Sequence, residues 1–199
     1  MSAGRRDGVT TYESTAYLEQ RFTENDSLVF SPWTEENAAL ISRSEATFGV
    51  KHVLTRSDHT VTAVQAGAVW VSEPPQHCEE GGAEVRFLGG VNLPRDTFIN
   101  VEVAERILSG GCTDQRVEIT AGAHHGPHWL GLAQVFVDGP EYGDESVKAE
   151  LSLVHFDNKG HGVQVGVRGR VDGGDDELAL VLAFWSEPGR ARKRRRSDD

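Results

Sequence analysis

The sequence lacks any long hydrophobic run. No stretch approaches about 18 consecutive apolar residues, which excludes a transmembrane helix by length. Residues 1–8 carry charges with no apolar segment behind them, so we expect no secretory signal peptide. These two absences predict an intracellular protein that has no membrane partner.

Cysteine is scarce as well. The two cysteines, Cys78 and Cys112, match neither a disulfide framework nor the ligand spacing of a zinc site. We therefore expect two free thiols in a reducing compartment. Hydrophobic residues make up 38% of the chain, below the roughly 45–50% of an average globular domain. A core is still expected, surrounded by long loops or extended termini.

The net charge of −11 is unevenly distributed. The last ten residues contain six basic and two acidic side chains, which leaves 14 basic and 29 acidic residues in the rest of the chain. So acidic a body repels the nucleic acid backbone, and no specific nucleic acid partner is expected. The basic tail resembles a nuclear localisation signal, with polyanion contact or a solvated tail as alternatives. The side chains that would form this signal are Arg190, Arg192, Lys193, Arg194, Arg195 and Arg196.

Short segments that alternate apolar and polar residues dominate the chain. The 22 glycines are expected to form many of the turns between them. Examples of the alternating segments are residues 83–88, 116–119 and 151–156. Taken together, such segments recur about every 8–12 residues with turn signals between them, which is typical of a sandwich or barrel. Residues 1–10 are predicted to be disordered, and residues 11–22 to form a short helix. The proline-containing loop at 72–82 marks the best internal boundary.

Residues 135–143, which include Asp138 and Tyr142, resemble the motif G-V-I-D-x-x-Y-R-G. This is the water-activating motif of trimeric dUTP pyrophosphatases (dUTPases), and the order of several segments in the second half resembles that family. Four further segments resemble its proline-led strand, its glycine turn, its V-x-L-x-N strand and its G-D-R-I-A-Q-L segment: residues 93–103, 108–117, 151–158 and 166–171. The resemblance covers roughly residues 82–184. It implies the family's distorted, jelly-roll-like β-barrel and a homotrimer.

The expected fold class is therefore all-β, with three parts. Residues 1–75 form an N-terminal extension with some strands, residues 76–188 a dUTPase-like β-barrel, and residues 189–199 a basic disordered tail. We expect these boundaries to follow the proline-containing loop and the onset of the basic tail.

The departures from the dUTPase motifs bear on catalysis. Val85 occupies the position of the family's metal-linked aspartate, and residues 120–123 replace its phosphate-gripping P-R-S-G. The glycine-rich arm that covers the phosphates is also missing, with the basic tail in its place. Each lost charge-assisted hydrogen bond is worth about 1.5–3 kcal/mol, so the resemblance implies a scaffold without hydrolase activity. Such a chain is similar to the degenerate dUTPase-derived proteins of adenoviruses and herpesviruses.

The resemblance implies a catalytically inactive viral regulatory protein that acts on host proteins in the host nucleus and uses no cofactor. One alternative is a divergent dUTP pyrophosphatase. Asp138 would then be the general base, Tyr142 would pack on the deoxyribose, and Mg²⁺ would bind through the substrate phosphates. A second alternative is a small structural β-barrel of a virion.

Three histidines lie within five residues, at His124, His125 and His128. This spacing raises the question of a metal site. Because no fourth ligand is spaced nearby, we interpret the segment as an exposed polar loop and predict no metal site.

Overall fold

The computed structural model describes residues 1–6, 9–37, 42–74, 77–140, 145–173 and 177–186, and their regular structure consists of β-strands. In these residues there is no helix long and apolar enough to cross a membrane. The strands are β1 (Ser2–Arg6), β2 (Val9–Thr15), β3 (Leu18–Arg21), β4 (Asp26–Asn37), β5 (Ser42–Arg56), β6 (Thr60–Val71), β7 (Gly81–Leu93), β8 (Thr97–Leu108), β9 (Thr113–His125), β10 (Trp129–Pro140), β11 (Ser146–Phe156), β12 (His161–Asp172) and β13 (Glu177–Ser186).

The strands form one closed antiparallel barrel. Each strand from β4 to β13 pairs with the next in sequence, β13 pairs with β1, and β1 with β2. Both β2 and β3 pair with β4, at Trp33–Asn37 and Ser27–Phe30 respectively, so they share one position in the wall. The pairing of β2 with β4 closes the barrel, whose thirteen described strands occupy twelve positions.

The connections differ between the two ends of the barrel. Five connections of three or four residues lie at one end, here called the turn end: residues 22–25, 57–59, 94–96, 126–128 and 157–160. The other end, here called the loop end, contains the longest described connection, between β6 and β7. In the turn after β7, Arg95 and Asp96 have φ of 65° and 55°, which gives the left-handed pair of a tight hairpin.

The faces of the wall are inverted relative to a soluble barrel. On β7, Glu84 points inward and is 3% exposed. Phe87, three residues later, points outward and is 59% exposed. Successive side chains of a strand point to opposite faces, so this pattern places charge inside and apolar surface outside. Exposed apolar side chains on the outer face include Phe48, Val50, Val85, Val101, Val103, Ile107, Ile119, Val135, Leu151, Leu153, Val163, Val165, Val167, Leu178, Leu180 and Leu182.

Two small apolar clusters lie inside the barrel near its ends. The cluster near the loop end contains Val69, Val71, Leu108 and the disulfide between Cys78 and Cys112. The expectation of free thiols is therefore wrong. The pairing of β6, β7 and β8 brings together two connections whose cysteines are 34 residues apart in sequence. The cluster near the turn end contains Leu130, Leu132, Val154 and Phe156, against Phe98 and Trp185.

The all-β class is confirmed, but the small dUTPase-like jelly roll is wrong. The segments of alternating residues are parts of longer strands of 10–15 residues. Glycines do not always mark a turn between two strands, since Gly89 and Gly90 lie within β7. The helix expected at residues 11–22 is also wrong, since β2 and β3 occupy it. Residues 2–6, expected to be disordered, pair with β13. The expected boundary between residues 75 and 76 lies outside the described residues, and strands on both sides of it pair with each other.

Candidate functional site

The interior of the barrel contains a polar cavity of about 540 Å³. Its walls include seven acidic and six basic side chains, so its fixed charges nearly balance. The acidic residues are Glu13, Glu35, Glu45, Glu102, Asp114, Glu118 and Asp138, and the basic ones are Arg43, Arg86, Arg106, Arg116, Lys148 and Arg168. Because inward positions on eight or more strands contribute, the cavity belongs to the lumen as a whole.

Glu45 of β5 lies at the centre of one cluster of charges. Its Oε2 accepts hydrogen bonds from Arg106 Nη1 at 2.6 Å and from Arg116 Nη2 at 3.4 Å. Its Oε1 lies 2.9 Å from Arg43 Nη2. These three arginines belong to β5, β8 and β9, so one carboxylate joins strands that are not neighbours. Arg106 also donates to Glu84 Oε2, from Nη2 at 3.0 Å and from Nε at 3.2 Å.

Arg86 continues the cluster towards the turn end. Its Nη1 donates to Glu102 Oε2 at 3.0 Å and its Nη2 to Glu84 Oε1 at 3.1 Å. On the next strands, Gln134 Nε2 donates to Glu118 Oε1 at 3.1 Å. These side chains thus form a continuous polar lining across β7, β8, β9 and β10.

A second cluster surrounds Glu177 on β13. Its Oε2 lies 3.3 Å from both Lys148 Nζ and Arg170 Nη2, and its Oε1 lies 3.9 Å from Arg168 Nη2. Arg168 also forms an ion pair with Glu13 of β2. Like Glu45, Glu177 is a buried carboxylate with three cations around it. Buried charges of this kind are tolerated only when paired, and removing one partner is far more costly than removing a surface ion pair.

A smaller cavity of about 240 Å³ lies nearer the turn end. Polar and apolar side chains share its wall. Lys51 and Glu19 form an ion pair there, while Val53, Val61 and Leu88 supply apolar surface. Glu102 lines both cavities, so the polar interior extends from the large cavity towards the turn end.

Of the residues predicted from sequence, Asp138 lies in the lumen. It is an inward residue of β10, and its Oδ1 is 3.5 Å from Arg116 Nε. Its role as a general base stays a prediction, as does the absence of a cofactor. Tyr142 and the residues of the expected localisation signal, Arg190, Arg192, Lys193, Arg194, Arg195 and Arg196, lie outside the described residues.

The histidines do not share one loop. His124 and His125 are the last residues of β9, and His128 lies in the turn that follows. His128 Nδ1 is 2.9 Å from the carbonyl oxygen of Phe156. Within the described ranges, no group of three or more His, Cys, Asp or Glu side chains is placed to hold a metal ion.

The lumen residues could not be recognised from the sequence, because an alternating pattern is the same whether its polar residues face inward or outward. Glu45 and Thr47 alternate with Ala46 and Phe48, which predicts a strand but not which face is inside. In a soluble barrel the charged residues of such a strand would face water. Ion pairs between strands that are not neighbours, such as Glu45 of β5 with Arg106 of β8, depend on strand pairing that one sequence does not reveal.

Comparison with solved structures identifies similar folds. A KdgM porin superposes with a TM-score of 0.57 at 10% sequence identity, covering 94% of this chain and 96% of the porin chain. A KdgM porin in complex with disordered oligogalacturonate gives a TM-score of 0.58 at the same identity and coverage. No protein-family model matches the chain, and no curated protein matches it in sequence. At this identity the likeness establishes the fold alone.

These findings overturn the functional expectations that rested on the dUTPase resemblance. The barrel shares the porin fold along nearly its whole length, so the dUTPase-derived viral regulator is wrong, and neither the dUTP pyrophosphatase nor the virion component is supported. The host-protein partners expected from the same resemblance are wrong, and the homotrimer that it implied is not supported. The nuclear location, which was expected from the basic tail, conflicts with the porin-like fold and is also wrong. The expected lack of a membrane partner conflicts with the porin-like fold and with the apolar outer face.

Proposed function

We propose that this chain is a transmembrane β-barrel that forms a channel for polar solutes. The proposal rests on the polarity of the barrel wall, which is apolar on its outer face and charged on its inner face. Exposed valines, leucines, isoleucines and phenylalanines cover the outside, while Glu45, Glu84, Arg106 and Glu150 are buried inside. In water such an outer face would cost about 25 cal/mol for each Å² of apolar surface, whereas lipid would cover it.

The dimensions of the strands support a membrane location. From β4 to β13 each strand contains 10–15 residues, and a transmembrane strand requires about 9–11. With a rise of about 3.3 Å per residue and a tilt near 40°, twelve residues span about 30 Å along the barrel axis. That height is sufficient for the roughly 25 Å apolar band of an outer-membrane barrel.

Aromatic residues near both ends also support this location. Trp70, next to the last residue of β6, is exposed near the loop end, and its Nε1 donates to Glu80 Oε2 at 3.3 Å. Trp129 and Phe184 are exposed near the turn end. Aromatic rings at these heights match the girdles that flank the apolar band of such barrels.

The disulfide and the lengths of the connections suggest an orientation. Outer-membrane barrels have short periplasmic turns and longer loops outside the cell, so the turn end would face the periplasm. The disulfide between Cys78 and Cys112 would then lie at the outer surface, an oxidising environment in which such a bond persists.

The lumen favours hydrophilic solutes without strong selection for one sign of charge. Its acidic and basic side chains nearly balance, and both can hydrogen-bond to hydroxyl groups. Because a porin of similar fold was solved with oligogalacturonate, oligosaccharides are the first solutes to test.

The test is conductance of the purified protein in a planar lipid bilayer. The protein would be refolded in detergent, added to one side of the bilayer, and recorded in KCl before and after addition of oligogalacturonate or a neutral oligosaccharide. We expect discrete conductance steps, with blockade by a solute that enters the lumen. A protein that stays monodisperse in water without detergent and produces no steps would refute the proposal.

A further inference from the structure

Glu45 collects three cations at one point of the lumen. Arg106 is 4% exposed in its side chain and lies against the wall, whereas Arg43 and Arg116 are 41% and 39% exposed. All three arginines and Glu45 line the large cavity. A solute in this cavity therefore meets two partly exposed guanidinium groups whose charge is offset by a largely covered carboxylate.

The other acidic partners of these arginines compensate only part of the charge. Arg106 is shared with Glu84, and Arg116 is shared with Asp138 at 3.5 Å. Within the described residues, the ion pair of Arg43 is the one with Glu45. Neutralising Glu45 would leave Arg43 without this partner and would weaken the compensation of the other two.

We propose that Glu45 is the selectivity-determining residue of the channel, because it keeps a cluster of three lumen arginines from attracting anions. This inference rests on the proposed channel function. With Glu45 charged, the cavity holds nearly balanced charges and discriminates weakly between small cations and anions. With Glu45 neutral, the lining of the whole cavity balances at six acidic and six basic side chains. At this point of the lumen, however, the three arginines keep Glu84 and Asp138 as their acidic partners, so the local charge becomes positive and attracts anions.

The size of the change in ion selectivity follows from the distance between the charge and a passing ion. A unit charge about 4 Å from a monovalent ion in water changes the local concentration of that ion about fivefold. Screening at 0.1 M salt reduces this effect, because the Debye length there is about 10 Å. We therefore expect Glu45→Gln to shift the cation-to-anion permeability ratio about threefold towards anions.

The matched control is Glu84→Gln. Glu84 is a buried carboxylate that also contacts Arg106, and its loss removes the same formal charge. It is not among the residues that line the large cavity. After its loss Arg106 keeps Glu45 and Arg86 keeps Glu102. We therefore expect its shift to be clearly smaller than that of Glu45→Gln.

The experiment measures the reversal potential of single channels in a KCl gradient for wild type, Glu45→Gln, Glu84→Gln and Arg116→Gln. The inference predicts a shift towards anions for Glu45→Gln and one towards cations for Arg116→Gln. Equal shifts for the two glutamate variants, or none, would overturn it while leaving the channel function intact. Wild-type protein that does not conduct would instead refute the channel itself. If Glu45→Gln does not fold, Arg43→Gln and Arg116→Gln decide: both must shift permeability towards cations, and unchanged ratios overturn the inference.

Discussion

A charge placed on the middle of the outer face should destabilise the barrel strongly if that face contacts lipid. Leu151 is the central residue of β11, points outward, and is 69% exposed. In a soluble protein an exposed leucine can be replaced by arginine for about 0.5 kcal/mol or less. At the midplane of a bilayer the same replacement costs about 2–4 kcal/mol. The free-energy cost of Leu151→Arg is therefore expected to be several-fold larger if Leu151 faces lipid than if it faces water.

Leu178→Arg is the matched control. Leu178 is the second residue of β13, points outward near the loop end, and is 65% exposed. The residue type, the substitution and the exposure are nearly the same as at Leu151, and depth is what differs. Near the membrane interface the cost falls to about 0–1 kcal/mol. Denaturant unfolding in lipid vesicles, followed by tryptophan fluorescence, gives both values. Equal costs at the two positions would refute the assignment of the outer face to lipid.

Three other predictions test the interior and the connections. Reduction of the disulfide, or Cys78→Ser, should lower the free energy of unfolding by about 3–4 kcal/mol, measured by denaturant titration with and without reductant. Arg106→Met should cost about 3–5 kcal/mol in the same titration, because it leaves two buried carboxylates with less compensation, whereas intact stability would contradict the ion-pair network. A hydrogen bond from the backbone N–H of His161 is the main cause that lowers the pKa of Asp157, in the turn after β11. That stabilisation is present above the unfolded pKa of about 3.9 and is lost as the pH falls through the folded value. Wild type should thus be more stable than Asp157→Asn at neutral pH and should lose this extra stability below about pH 4. Denaturation midpoints of both proteins between pH 7 and 3 test this, and a constant difference between them would contradict it.

The all-β class could be predicted from the sequence, because alternation of apolar and polar residues has the period of a strand. The inside and outside of the barrel could not, since a period of two is the same for both choices. Glu84 and Arg86 face the lumen while Val85 and Phe87 face outward, and the reverse arrangement would have the same sequence pattern. The lack of a long hydrophobic run was taken to exclude a membrane. It excludes a membrane-spanning helix, whereas strands cross with alternating residues.

The site could not be predicted because it depends on contacts between distant parts of the chain. Glu45 and Arg106 are 61 residues apart in sequence, and the intervening strands β6 and β7 bring them to 2.6 Å. The cysteines show the same limit, since the loops that hold Cys78 and Cys112 meet only after β6, β7 and β8 have paired. Asp138 was selected for its place in the motif at residues 135–143, but the described part of that motif, residues 135–140, is the end of β10, where Asp138 pairs with Arg116 and Ser146 in the ladder.

The most direct test of the account is the environment of consecutive positions along β11 in a lipid bilayer. Single cysteines would be introduced at positions 147–154, labelled with a nitroxide, and examined for collision with oxygen, which concentrates in lipid, and with a water-soluble nickel complex. The account predicts strict alternation: odd positions such as Leu151 and Leu153 reached by oxygen, and even positions such as Ser152 reached by nickel. Odd positions that are as accessible to nickel as even ones would show that water covers the outer face, and would contradict a transmembrane barrel.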